Sequence, residues 1–152
     1  MAVNLAELIH KGGVFKDVEG SSPEEIYKKI TEMINLPAGL SAETVYNALC
    51  DREKIMSTAV GNGIALPHAR IPLLKDEGDQ RICVIYLKNP IDMNAPDERK
   101  VFVRFIILSA NQHSHLQVLS DLVQLFQKKE FKKLLEQNAS EAELLNAIRN
   151  LS

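Results

Sequence analysis

Cysteine is scarce in this chain, tryptophan is absent, and neither acid nor base dominates. Cys50 lies in a helical pattern and Cys83 in a β-branched run, and neither has a partner at metal or redox spacing. They read as buried free thiols, because unpaired cysteine is among the most buried of side chains. Eighteen lysines and arginines against twenty acids leave a formal charge of -2. That removes the electrostatic footprint needed for nucleic acid or an anionic membrane surface. No apolar run approaches the ~20 residues needed to cross a bilayer, and the opening MAVNLAELIHKGG has no stretch long enough for a secretory signal. The expectation is a cytoplasmic protein with no nucleic-acid partner and no membrane insertion. Repeats, low-complexity tracts and linkers are also missing, and 152 residues suit one domain, 1–152, that buries its core without staples.

What is present alternates between two periodicities. After a short leading turn at Leu5 to Ile9, Val14 to Val18 alternates apolar and polar side chains as a strand does. Ser22-Pro23-Glu24-Glu25 combines a capping serine, a proline at the first helical position and a glutamate three residues after the cap. The spacing of Ile26, Ile30, Met33 and Ile34 predicts a helix to about Asn35. Ser41 caps a second helix, with Val45, Ala48 and Leu49 on one face, ending in the charge run Asp51-Arg52-Glu53-Lys54. Arg81 to Leu87 and Val101 to Leu108 are β-branched runs, with turns expected at Asn89-Pro90 and at Asn94 to Asp97. The last third is helical, with one stripe from Leu116, Leu119, Leu122, Val123 and Phe126 and another from Phe131, Leu134 and Leu135. Ser140 with Glu143 forms a further capping box. Strands between helical pairs predict an α/β fold, a three-layer α/β/α sandwich with a mixed central sheet and helices on both faces.

The chemistry concentrates in GNGIALPHAR, Gly61 to Arg70. Taken singly, each of the four histidines is accounted for as a solvated or hydrogen-bonded side chain. His68 differs because Pro67 fixes the backbone before it, while Gly61 and Gly63 let amides approach a bound group closely. Near neutral pH an imidazole carries a lone pair able to attack phosphorus, and it is also a good leaving group. Phosphoryl transfer needs donors placed in advance, and Arg52, Ser57, Thr58, Arg70 and a second histidine are available. Arg52 also reads as a helix-end arginine that complements the C-terminal dipole. His113-Ser114-His115 lacks metal-ligand spacing and further ligands, so no metal is expected. A hydrolase pairing Ser57 or Ser109 with His68 is conceivable, but there is no GxSxG elbow.

Two stretches together resemble one known family. ALCDREKIMSTAVGNGIALPHAR, Ala48 to Arg70, is similar in order and spacing to the arginine, serine-threonine and Gly-x-Gly-Ile-Ala-x-Pro-His signature of bacterial phosphotransferase system enzyme IIA domains of the fructose/mannitol class. HSHLQVLSDLVQLF is similar to that family's second histidine and its leucine-rich helix, with His115 at the matching position. The resemblance spans about Leu5 to Ile148 and is strongest for the nitrogen-regulatory branch. It departs at Arg99-Lys100-Val101 and in the charged loop Leu74 to Asp79, both outside the signature.

The resemblance implies a phosphohistidine carrier without a cofactor, rather than a stand-alone turnover enzyme. His68 would accept the phosphoryl group at Nε2 from HPr or its nitrogen-branch counterpart. Arg52 and His115 would line the pocket, with Ser57, Thr58, Gly63 and Arg70 as further candidates around the bound group. The downstream partner would be a regulatory target or a IIB domain. Two other readings stay open: a sugar-specific IIA, and a binding module that keeps the anion pocket without transferring phosphoryl.

Overall fold

The computed structural model describes residues 4–151. Helix α1 (Leu5–Gly12) precedes strand β1 (Val14–Val18), then come α2 (Pro23–Met33) and α3 (Ala42–Ile55). A hairpin of β2 (Ala59–Gly61) and β3 (Ile64–Ala65) leads through a loop to β4 (Arg81–Ile91) and β5 (Val101–Leu108). Helices α4 (Gln112–Phe126), α5 (Lys129–Glu136) and α6 (Glu141–Leu151) complete the chain. The sheet order is β1-β4-β5-β3-β2, and it is mixed. Strand β4 pairs parallel with β1 and antiparallel with β5, β5 pairs parallel with β3, and β2 with β3 is antiparallel.

Alternation along β4 divides the core in two. Ile82, Val84 and Tyr86 pack with α1, α4, α5 and α6, whereas Cys83, Ile85 and Leu87 pack with α2 and α3. Side chains on a strand point to opposite faces at every second position, so one strand feeds both layers. This is the expected three-layer α/β/α arrangement. Both cysteines are buried and unpaired. Among the described residues no helix is long and apolar enough to cross a membrane.

Several local readings change. The leading turn is a full helix, α1, because the Asn4 side chain accepts the Glu7 N–H at 3.1 Å and Leu5, Ala6 and Ile9 are buried on one side. Helix α2 stops at Met33, two residues before the expected end. Its cap also splits: Ser22 Oγ accepts the Glu25 N–H, but the Glu25 carboxylate turns back to Ser21 rather than to Ser22. At α6 both halves of the box close between Ser140 and Glu143. No turn forms at Asn89-Pro90, since β4 continues to Ile91. The ladder to β5 is interrupted between Tyr86 and Ile91, so the proline's missing N–H falls in a gap. The buried stripe of α4 is His115, Val118, Leu122, Leu125 and Phe126, while Leu116 and Val123 face outward.

The hairpin that carries the signature turns through three consecutive residues in the left-handed region, Gly61 (φ 97°), Asn62 (φ 56°) and Gly63 (φ 79°). The Asp97 carboxylate holds the turn by accepting the Asn62 N–H at 2.8 Å. A Cβ on Gly63 would lie 2.5 Å from the Phe102 ring, so the position is closed to larger residues by packing as well as by φ. With β3 alongside β5, the chain runs on in register until His68 bridges Ile107, one residue before β5 ends.

Candidate functional site around His68 and His115

The parallel pairing of β3 with β5 delivers His68 to the carboxyl end of the sheet. Ile107 N–H donates to the Pro67 carbonyl at 3.0 Å, which fixes the loop just before the histidine. From the other side, β5 ends at Leu108, and Asn111 caps α4 by accepting the Ser114 N–H at 2.8 Å. That cap sets His115 in the first turn of α4 with its ring facing His68. The two ring centroids are 4.8 Å apart and tilted by 48°.

The backbone decides the tautomer of His68. Its Nδ1 lies 2.7 Å from the Leu66 carbonyl oxygen, which has lone pairs and no proton, so Nδ1 is the donor. In the neutral ring the proton is then on Nδ1 and the free lone pair on Nε2. His68 is half-buried, and burial followed by the nearby Arg52 charge lowers its pKa against the opposing pull of the Leu66 bond and Glu53. His115 is only 8% exposed and pairs through Nδ1 with Ser109 Oγ at 3.1 Å. Burial, and secondarily His68, bring its pKa down to about 4. Both rings are therefore neutral at neutral pH.

Arg52, in the last turn of α3, donates through Nη1 to the Met56 carbonyl at 2.6 Å and lies close enough for its charge to act on His68. The side chain thus closes the C-terminal end of α3 while its charge reaches His68. Arg70 is exposed and shares a small cleft with Ser109, Gln112 and His115. Ser57 and Thr58 turn elsewhere. The Ser57 hydroxyl donates to the Met93 carbonyl, and the Thr58 hydroxyl donates to Glu53 Oε1 at 2.7 Å. Gly63 stands at the turn, where its carbonyl accepts the Phe102 and Val103 N–H groups. The Ser-His pairing that exists joins Ser109 to His115, and His68 has no serine partner, so the hydrolase geometry is not assembled. Among the described residues no cluster of three His, Cys, Asp or Glu side chains is placed to hold a metal.

The sequence did not single out Glu53 or the Leu66 carbonyl. Glu53 stands inside a charge run that reads as solvated, and a backbone carbonyl has no residue type to reveal it. Exposed apolar side chains follow the candidate residues along the chain: Ile55 and Met56 after Arg52, Ile71 after His68 and Leu116 after His115, Ile71 being 73% exposed.

A pair of neutral imidazoles, one with a fixed Nε2 lone pair, beside a guanidinium is an arrangement suited to receiving an anionic electrophile. The chain as a whole is similar to known proteins. The nitrogen regulatory protein of Klebsiella oxytoca is 30% identical over 97% of this chain and 91% of its own length. That of Pseudomonas aeruginosa is 29% identical over 96% of this chain and 94% of its own. The crystal structure of the nitrogen regulatory protein IIA-Ntr from Neisseria meningitidis superposes with a TM-score of 0.79 at 26% identity, covering 95% of this chain and 98% of that one. The family model for the phosphoenolpyruvate-dependent sugar phosphotransferase system, EIIA 2, matches residues 7–151, and the chain belongs to that family.

Proposed function

We propose that this protein is a phosphoryl carrier of the phosphotransferase system in which His68 accepts the group, and that it serves nitrogen-linked regulation. The observation that carries the proposal is the 2.7 Å contact from His68 Nδ1 to the Leu66 carbonyl, which leaves Nε2 as the nucleophile. The donor is a phosphohistidine on HPr or a nitrogen-branch HPr-like protein. The Nε2 lone pair forms a P–N bond while the donor's P–N bond breaks, and that electron pair returns to the donor's imidazole. The His68 Nδ1–H stays on the Leu66 carbonyl, so the phosphorylated ring is cationic and remains a good leaving group for onward transfer.

Arg52 supplies N–H donors to the phosphoryl oxygens, where a permanent charge and planar fork suit a dianion. His115, neutral and fixed by Ser109, orients the group without carrying it. Ile55, Met56, Ile71 and Leu116 form the apolar rim on which the carrier seats, with the polar centre excluded from water. Phosphorylation adds about -1.5 to -2 charges there, which changes the partner surface that fits and makes the state of His68 a signal.

Incubation with enzyme I, phosphoenolpyruvate and an HPr-type carrier should give acid-labile, base-stable label that is lost in His68→Ala. Absence of label on the parent protein sinks the proposal. The family's description as a sugar system supports a second reading, in which the group passes to a IIB domain. Deleting the gene separates the two: loss of uptake of one sugar supports the second reading, and altered nitrogen-linked regulation supports the first.

A further inference from the structure

Beneath the His68 loop lies a part-buried polar chain that the transfer step as described does not use. Glu53, on the turn of α3 next to Arg52, accepts three hydrogen bonds. One comes from the Tyr27 hydroxyl of α2, one from the Thr58 hydroxyl at 2.7 Å and one from the Thr58 backbone N–H at 2.8 Å. The Thr58 carbonyl accepts the Leu66 N–H at 2.9 Å, and the Leu66 carbonyl accepts His68 Nδ1–H at 2.7 Å. Two residues, Thr58 and Leu66, therefore connect the carboxylate to the imidazole, each donating through its N–H on one side and accepting through its C=O on the other. The link is one of position: the carboxylate fixes Thr58, Thr58 fixes Leu66, and the Leu66 carbonyl fixes the ring.

Behind the carboxylate is a compensating cation. Arg104, fully buried on β5, stacks on the Tyr27 ring at 4.8 Å and donates through Nη2 to Met93 Sδ at 3.1 Å. Its Nε and Nη1 have no hydrogen-bond partner among the described residues. A buried guanidinium placed like this needs nearby negative charge, and Tyr27 and Glu53 favour its charged form against burial. The network thus holds the Glu53 carboxylate in one place.

We propose that Glu53 is a positioning residue for phosphoryl transfer: through the Thr58 and Leu66 backbone it keeps the proton of His68 on Nδ1 and stabilises the positive ring formed when Nε2 takes the phosphoryl group. It orients its histidine as the carboxylate of a catalytic triad does, with two residues, Thr58 and Leu66, standing between them. The charged and titratable groups facing His68 are Arg52 and Glu53 from α3 and His115 from α4, and of these only Glu53 favours the cationic ring. This inference rests on His68 being the acceptor.

The test is Glu53→Gln, read by nitrogen-detected NMR titration of His68 and by the rate of labelling from the phosphocarrier. The expected result is a His68 midpoint below the parent's, a smaller share of Nδ1–H tautomer, and labelling slower by about tenfold, the lower end of what losing an imidazole's orienting partner costs at metal sites. Glu53→Asp returns the midpoint toward the parent's by restoring charge, which repair of a structural defect alone does not do. Should Glu53→Gln fail to fold, Tyr27→Phe keeps the ring beneath Arg104 and removes only the hydroxyl that steadies the carboxylate; it should slow labelling in the same direction. A parent-like His68 titration together with full-rate labelling in folded Glu53→Gln or Tyr27→Phe overturns the proposal. If the parent itself takes no label, the carrier reading fails, and the NMR titration still decides whether Glu53 controls the ring.

Discussion

The two faces of the sheet are built on different principles. The layer of α1, α4, α5 and α6 is sealed by aliphatic residues and a phenylalanine series, with Phe105 to Phe126 at 4.9 Å and Phe126 to Phe131 at 6.2 Å. The layer of α2 and α3 buries Arg104, Tyr27 and Thr58 around the Glu53 carboxylate. Apolar packing is non-directional and secures stability. A polar network is directional and fixes orientation, at the risk of a large penalty when one member is lost. The histidine pair sits where these layers meet: His115 belongs to α4 of the apolar layer, and the loop of His68 is tied to α3 of the polar one.

Separating chemistry from packing gives the largest expected effect. His68→Ala should abolish labelling completely while leaving denaturant stability within about 0.5 kcal/mol, since the ring is half-buried and makes one local bond. His115→Ala should still take label but pass it on poorly, because a pocket partner is lost and the nucleophile stays; a variant that takes no label assigns His115 a share in acceptance.

On the apolar side the order reverses. Phe131 is fully buried, and Phe131→Ala should lower stability by about 3–5 kcal/mol while the rate of labelling per folded molecule is unchanged. A labelling defect exceeding the unfolded fraction, measured by circular dichroism at the assay temperature, would show that the two layers are coupled.

Acid should act through the histidines. The folded pKa of His115 lies at about 4 against an ordinary 6.5, so between those values the unfolded chain binds more protons. Stability contributed by keeping this ring neutral is full above about 6.5 and is lost as pH falls toward 4. His68, also lowered, acts in the same sense. Urea melts at neutral pH and at pH 4 to 5 should differ more for the parent than for His115→Asn.

The smallest effects belong to the helix caps, one in each layer. Ser41→Ala at α3 and Ser140→Ala at α6 should each cost about 1 kcal/mol, read as shifts in urea midpoint. Only Ser41→Ala, in the helix that bears Arg52 and Glu53, is expected to slow labelling as well.

Legibility in the sequence followed the range of the forces involved. Strands β1 and β5 end where the alternation and the β-branched run end, because those patterns are local. Helix α4 was legible as a helix, yet its buried face came out rotated: Leu116 is as apolar as Leu122 but is 62% exposed. Which leucine faces in depends on where the sheet lies. Pro90 read as a turn because its defect is local, whereas the gap that accommodates it is a property of two paired strands.

By itself the sequence determined the alternation of elements and the glycine turn ahead of Pro67-His68, while Arg52 and His115 stood out as site candidates through the family resemblance. The first two follow from dihedral restriction and side-chain period, which act over a few positions. Tertiary structure alone decided that His115 faces His68 across 4.8 Å, that Ser57 and Thr58 turn elsewhere, and that Nε2 is the free nitrogen. It also brought Glu53 under the loop and Arg104 behind Glu53. Hydrogen bonds and buried charges depend on distances between segments far apart in the chain, and only the packed sheet and its two helical layers set those distances.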